Sequence, residues 1–229
     1  MVNYKNMKTK LTLLFIVILL AGCEIDNYDA PQVTTYGRIV DSQTNELVEP
    51  GGINAGTTIK LYQDNSSQPL IYNTLPDGTF VNTKVFAGSY SYIAEGPFTM
   101  AAVGPQNITI SNNSEIEIEV IPNVRLNITG GLNGTTANIT MAYEKVPANQ
   151  KLVHLAVVWS KFRNPNNFTF AGGSIVQENV ESLDLTSGEK SFTIQNLQPH
   201  TKYYVRGSAR TNNPGNYYNY STQIELQTP

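Results

Sequence analysis

The sequence predicts an all-β protein built as two β-sandwiches, and three observations predict it. Short segments alternate apolar and polar residues with a period of two: Ile59-Lys60-Leu61-Tyr62, Ser89-Tyr90-Ser91-Tyr92-Ile93, Glu115-Ile116-Glu117-Ile118-Glu119-Val120 and Ser191-Phe192-Thr193-Ile194. β-Branched and aromatic residues dominate these segments, and Gly, Asn, Asp and Pro punctuate them. After residue 22 no stretch keeps an apolar helical period for three turns. Strands spaced this way, with polar turns, build sandwiches. The expected divisions are a signal over residues 1–22, a tether over 23–32, a first sandwich over 33–122 and a second over 123–229.

The apolar run from Leu11 to Ala21 is shorter than the roughly 20 residues a membrane-crossing helix needs. It has the length of a signal-peptide core, and Lys5, Lys8 and Lys10 precede it with no acidic residue. It ends in Leu20-Ala21-Gly22-Cys23, where two small residues open the backbone to a peptidase and a thiol follows. This resembles the lipobox of bacterial lipoproteins. The resemblance implies cleavage before Cys23 and diacylation of its sulfur. Two or three acyl chains hold a protein firmly to a membrane, whereas one does so only marginally. Cys23 is the sole cysteine, so its lipidation leaves no disulfide, thiolate nucleophile or cysteine metal site.

Removing residues 1–22 takes three of the 15 basic residues, leaving 12 against 18 acidic ones and a net charge of −6. That balance argues against nucleic acid, whose phosphates need basic patches. It also leaves membrane attachment to the acyl chains. Glu24, Asp26 and Asp29 follow the cysteine closely. They resemble the export signal of Bacteroidetes lipoproteins for the outer face of the outer membrane, which implies a surface-exposed anchor.

In the first block, Tyr36-Gly37-Arg38-Ile39-Val40-Asp41 precedes Gly56-Thr57-Thr58-Ile59-Lys60-Leu61-Tyr62. Pro76-Asp77-Gly78-Thr79-Phe80 then makes a turn at Asp77-Gly78 and sends Phe80 into the core. Phe86-Ala87-Gly88-Ser89-Tyr90 bends the chain at Gly88 into the next strand. The order G-x-[IV]-x-D, DG-x-F, G-x-Y resembles the carboxypeptidase-regulatory-like, transthyretin-like sandwich. Tyr90 to Phe98, then a strand and Glu119-Val120-Ile121-Pro122, resembles the DUF3823 family of Bacteroidetes lipoproteins. Its members pair such a domain with a second sandwich and are commonly encoded beside SusC/SusD-like glycan-uptake systems. The resemblance implies a supporting role in capturing polysaccharide or oligosaccharide, with SusC/SusD-like partners, and carries over no binding residues.

In the second block, strands are expected at Val124 to Ile128, Ala137 to Tyr143, Leu152 to Trp159, Ser191 to Ile194 and Ser221 to Gln227, with Asn164 to Asn179 irregular. Leu197-Gln198-Pro199-His200-Thr201-Lys202-Tyr203 resembles the tyrosine corner of fibronectin type III domains. The resemblance implies that Tyr203 bonds back to the backbone of its turn, and that Val205, Gly207 and Ala209 follow on one face.

Catalytic signatures are sparse. The two histidines, His154 and His200, stand apart, and no H-E-x-x-H, G-x-S-x-G or P-loop occurs. The expectation is a non-enzyme without cofactor or metal. A glycosidase needs only two carboxylates, for which Glu95, Glu144, Glu178, Glu181 and Asp184 are candidates. For binding, aromatic rings stack on the C–H faces of sugars while amides bond their hydroxyls. Asn216, Tyr217, Tyr218 and Tyr220 offer this chemistry in the loop joining the last two strands. A second aromatic stretch, Trp159 to Phe170, should leave the opposite pole and form no common site with the first, and Trp159 itself reads as core. The alternative to a carbohydrate-binding accessory protein is a structural or adhesive component, a spacer or fimbria-like subunit, with protein partners.

Overall fold

A computed structural model describes residues 30–51, 56–64, 66–168 and 174–229. The signal, Cys23 and most of the tether lie outside the described residues. The first eight strands are β1 (Val33–Asp41), β2 (Thr58–Gln63), β3 (Leu70–Asn73), β4 (Thr79–Val85), β5 (Gly88–Glu95), β6 (Phe98–Met100), β7 (Gln106–Ile110) and β8 (Ser114–Pro122). They form two sheets, ordered β4-β1-β8-β6 and β3-β2-β5-β7. Every pairing is antiparallel except β1 with β8, which run parallel.

The period-two pattern sets the faces. In β8, Ile116, Ile118 and Val120 are buried while Glu115, Glu117 and Glu119 alternate outward. The inward set joins Ile39, Ile59, Leu61, Phe80, Tyr90 and Ile110 in one core. Gly78 sits at the turn before β4 with φ of 81°, a conformation that disfavours side chains.

At Asn123 the chain passes from this core to another. The second group of strands is β9 (Val124–Asn133), β10 (Thr136–Lys145), β11 (Leu152–Ser160), β12 (Ser174–Asn179), β13 (Ser187–Ile194), β14 (Lys202–Thr211), β15 (Asn219–Tyr220) and β16 (Ile224–Gln227). One sheet is ordered β13-β10-β9; the other is β12-β11-β14, with β15 and β16 both paired to β14. Ile139, Met141, Leu155, Val157, Phe192, Ile194, Val205 and Ala209 fill the space between them. Trp159 packs against this core from its margin. The architecture is all-β: a transthyretin-like sandwich followed by an immunoglobulin- or fibronectin-like one. Among the described residues the one helical element is a single 3-10 turn, Glu181–Leu183.

Two expectations are corrected. The segment from Asn164 to Asn179 is not irregular throughout, because Ser174–Asn179 pairs with β11 as an edge strand. The last strand does not run unbroken from Ser221, because Asn219–Tyr220 and Ile224–Gln227 pair with separate stretches of β14.

Residues 32–229 pack as one compact unit, and both cores draw on residues from 39 onward. The two sandwiches meet through polar groups. Asn123 is 2% exposed; its N–H donates to the Pro97 carbonyl at 2.8 Å and its own carbonyl accepts from Val146 N–H at 3.0 Å. The hinge between the cores is therefore one residue, bonded on both sides.

Candidate functional site

The loop between β14 and β15 is held from within and from below. Within it, Asn213 is buried and bonds Tyr217 twice: Oδ1 accepts the Tyr217 N–H at 2.8 Å, and Nδ2 donates to the Tyr217 carbonyl at 2.9 Å. Asn side chains favour such local closures because they reproduce a backbone turn. Below it, β15 is bonded to both sandwiches. Tyr220 N–H donates to the Glu49 carbonyl of the first at 3.0 Å, and Asn219 Oδ1 accepts the N–H of Val124, at the start of β9 in the second, at 3.0 Å.

Charge reinforces this seat. The Arg206 side chain is completely buried. It donates to Glu49 Oε2 at 2.6 Å and to the Ser221 carbonyl at 3.0 Å, and its guanidinium lies 4.6 Å from the Tyr220 ring centroid. Burial pushes the Arg206 pKa below its ordinary value, while the Glu49 charge and hydrogen bond oppose that shift. Beside this pair, Arg125 grips the buried Asp41 with two nitrogens and reaches Glu144 with a third. Burial alone would raise the Asp41 pKa, but the Arg125 bond and the Gln43 N–H outweigh it and hold the carboxyl below the usual range.

The sequence-predicted tyrosines part company. Tyr220 is 5% exposed and not an open platform. Its ring lies beneath Arg206, its hydroxyl donates to Asn167 Oδ1 at 2.7 Å, and a Cβ at Gly51 would come 2.5 Å from its ring. Burial lifts its pKa well above the ordinary phenol value. Tyr217 is half-buried and turned toward the first sandwich, where it lines a cleft with β5 and β6. Tyr218, also half-buried, meets Phe168 edge-on at 5.8 Å and has the Arg210 guanidinium 5.5 Å from its ring centroid. Asn216 is exposed in a left-handed conformation, and its Oδ1 accepts from Arg210 Nη1 at 2.6 Å.

Phe168 corrects the expectation of two separate poles. Strands β11 and β14 are antiparallel, with Ser160 opposite Tyr204 and Leu152 opposite Thr211, so the two loops do leave opposite ends. The segment after β11 then folds back along the broken last strand. Asn164 N–H donates to Gln223 Oε1, Asn166 Nδ2 to the Gly51 carbonyl, and Asn167 N–H to the Tyr220 hydroxyl. These bonds carry Phe168 to Tyr218. The group brought together is Phe168, Tyr218, Arg210 and Asn216, with Phe168 as its open ring at 60% exposure. Arg210 and Asn213 were not singled out in the sequence. Arg210 carried no signal beyond its place in a strand, and Asn213 only the turn preference of its type.

Elsewhere, Tyr203 is buried and its hydroxyl accepts Gln198 N–H at 3.0 Å, closing the corner before β14. Of the candidate carboxylates, Glu95 pairs with Lys60, Glu144 with Arg125 and Glu178 with Lys190. Glu181 and Asp184 are exposed at the 3-10 turn. His154, half-buried in β11, has its pKa lowered first by burial and then by Arg210; His200 is exposed. Among the described residues no group of three or more His, Cys, Asp or Glu side chains is placed to hold a metal.

The same architecture occurs in solved proteins. A DUF3823 protein from Bacteroides uniformis superposes with a TM-score of 0.72 at 19% identity, over 87% of this chain and 100% of that one. A DUF3823 protein from Parabacteroides merdae gives 0.73 at 18% identity, with the same coverage. A candidate carbohydrate-binding protein from Bacteroides uniformis gives 0.69 at 19% identity, over 86% of this chain and 99% of that one. The DUF3823 resemblance read from the sequence is thus matched across both sandwiches at the level of fold. No protein-family model and no curated protein matches the sequence.

Proposed function

We propose that this chain is a lipid-anchored surface lipoprotein of the DUF3823 type that holds carbohydrate without transforming it, in support of a polysaccharide-uptake system. The observation that carries the reading is the Phe168 ring, exposed and backed by Tyr218, with the Arg210–Asn216 pair alongside. An open ring offers a stacking face to sugar C–H groups, and neighbouring guanidinium and amide groups bond hydroxyls. The fold shared with a candidate carbohydrate-binding protein supports the same reading. The Cys23 anchor, the outer-membrane surface address and SusC/SusD-like partners rest on the lipobox, the acidic tether and the family resemblance.

Calorimetric titration of residues 24–229 with oligosaccharides of plant, host and microbial origin tests it. One class should bind, and Phe168→Ala with Tyr218→Ala should weaken that binding about tenfold with the melting transition preserved. Unchanged affinity in the double variant removes this loop from the reading. The absence of binding to every class removes carbohydrate.

A second reading has its own observation. The outer face of the β4-β1-β8-β6 sheet carries a shallow groove of about 780 Å³ whose lining includes Tyr36, Leu75, Val81 and Glu117. Three of these are about half exposed, as on a surface that docks a protein. This favours the structural or adhesive alternative, which the same titration separates.

A further inference from the structure

On the Tyr217 side of the loop, a cleft of about 510 Å³ opens between the sandwiches, a size typical of small-molecule sites. One wall is Ile93, Glu95, Phe98 and Met100 from the first sandwich; the other is the Asn213–Tyr217 loop. Asn123 and Gln150 also line it. We infer that this cleft is a second carbohydrate subsite, taking a single neutral pyranose unit on the Tyr217 ring. The inference rests on the carbohydrate reading but uses none of the side chains of the Phe168 group.

Three features argue for it. The backbone that carries the ring is held before any ligand arrives, because Asn213 bonds the Tyr217 N–H and carbonyl. The ring also lies directly on Gly215, where a Cβ would come 1.9 Å from it. Pre-set groups bind at a lower ordering cost. The wall opposite mixes apolar surface from Ile93, Phe98 and Met100 with the Glu95 carboxylate, the pairing that a sugar's C–H face and hydroxyls require. Finally, Lys60 Nζ donates to Glu95 Oε1 at 2.6 Å. The pair cancels its net charge and leaves acceptor capacity on the carboxylate, which suits a neutral sugar rather than a uronic acid.

The test uses ¹H–¹⁵N chemical shifts of residues 24–229 titrated with methyl glycosides of neutral hexoses and with a hexuronic acid. Backbone amides of Ile93 to Met100, Asn123 and Tyr217 should move with one neutral sugar. Gly215→Ala, which displaces the ring, and Tyr217→Ala should each weaken that response about tenfold, with the melting transition kept. Shifts confined to Phe168, Asn216 and Tyr218 overturn the cleft and leave the proposed function standing. Cleft shifts that survive both variants overturn the role of Tyr217. A stronger response to the uronic acid overturns the neutral-ligand assignment, and silence across every sugar overturns the subsite, while the carbohydrate reading stands or falls by the oligosaccharide titration.

Discussion

Removing the Arg206 side chain leaves the Glu49 carboxylate, only 12% exposed, without its main countercharge at the interface. Breaking one partner of a buried ion pair costs about 3–5 kcal/mol. Arg206→Ala should lose that much in urea unfolding, whereas replacing both residues by apolar ones should lose far less. Asp41 gives the interface a pH dependence. Its folded pKa is depressed, so its contribution is fully present above the unfolded value of about 4 and fades as the pH falls through the folded value. Stability should drop below about pH 4 and drop less steeply in Asp41→Asn, which acid titration of unfolding measures. None of this was legible in the sequence. Arg206 and Glu49 are 157 positions apart, and a charged residue within a strand reads as solvated when no covering domain is in view.

Single elements were more legible where the local pattern is complete. The strand alternation in β8 and the turn at Gly78 follow from residue type alone. The Tyr203 corner rests on a local arrangement, five residues from the hydroxyl to the Gln198 N–H it accepts, and Tyr203→Phe should cost about 1 kcal/mol in urea unfolding. Elements set by distant contacts were missed. Ser174–Asn179 is a strand because β11 pairs with it, although an Asn- and Gly-rich stretch precedes it. Three tyrosines in four positions suggested one platform. Their split follows from what lies around them: Gly51 and Arg206 against Tyr220, β5 and β6 across from Tyr217, and Phe168 beside Tyr218.

For the whole molecule, the contact between sandwiches is what makes the loop a defined surface. Two charge pairs, the bonded hinge at Asn123 and the β15 backbone tie the sandwiches together. The fold class was readable because strand period and turn chemistry are local signals repeated along the chain. The meeting of Phe168 with Tyr218 was not, since strand order alone places their loops at opposite ends. Whether this molecule holds carbohydrate is decided by native electrophoresis of residues 24–229 in gels cast with plant, host and microbial polysaccharides. One class should retard the protein, and changing Phe168 and Tyr218 to Ala should release it. Mobility unchanged in every polysaccharide gel would contradict the carbohydrate reading.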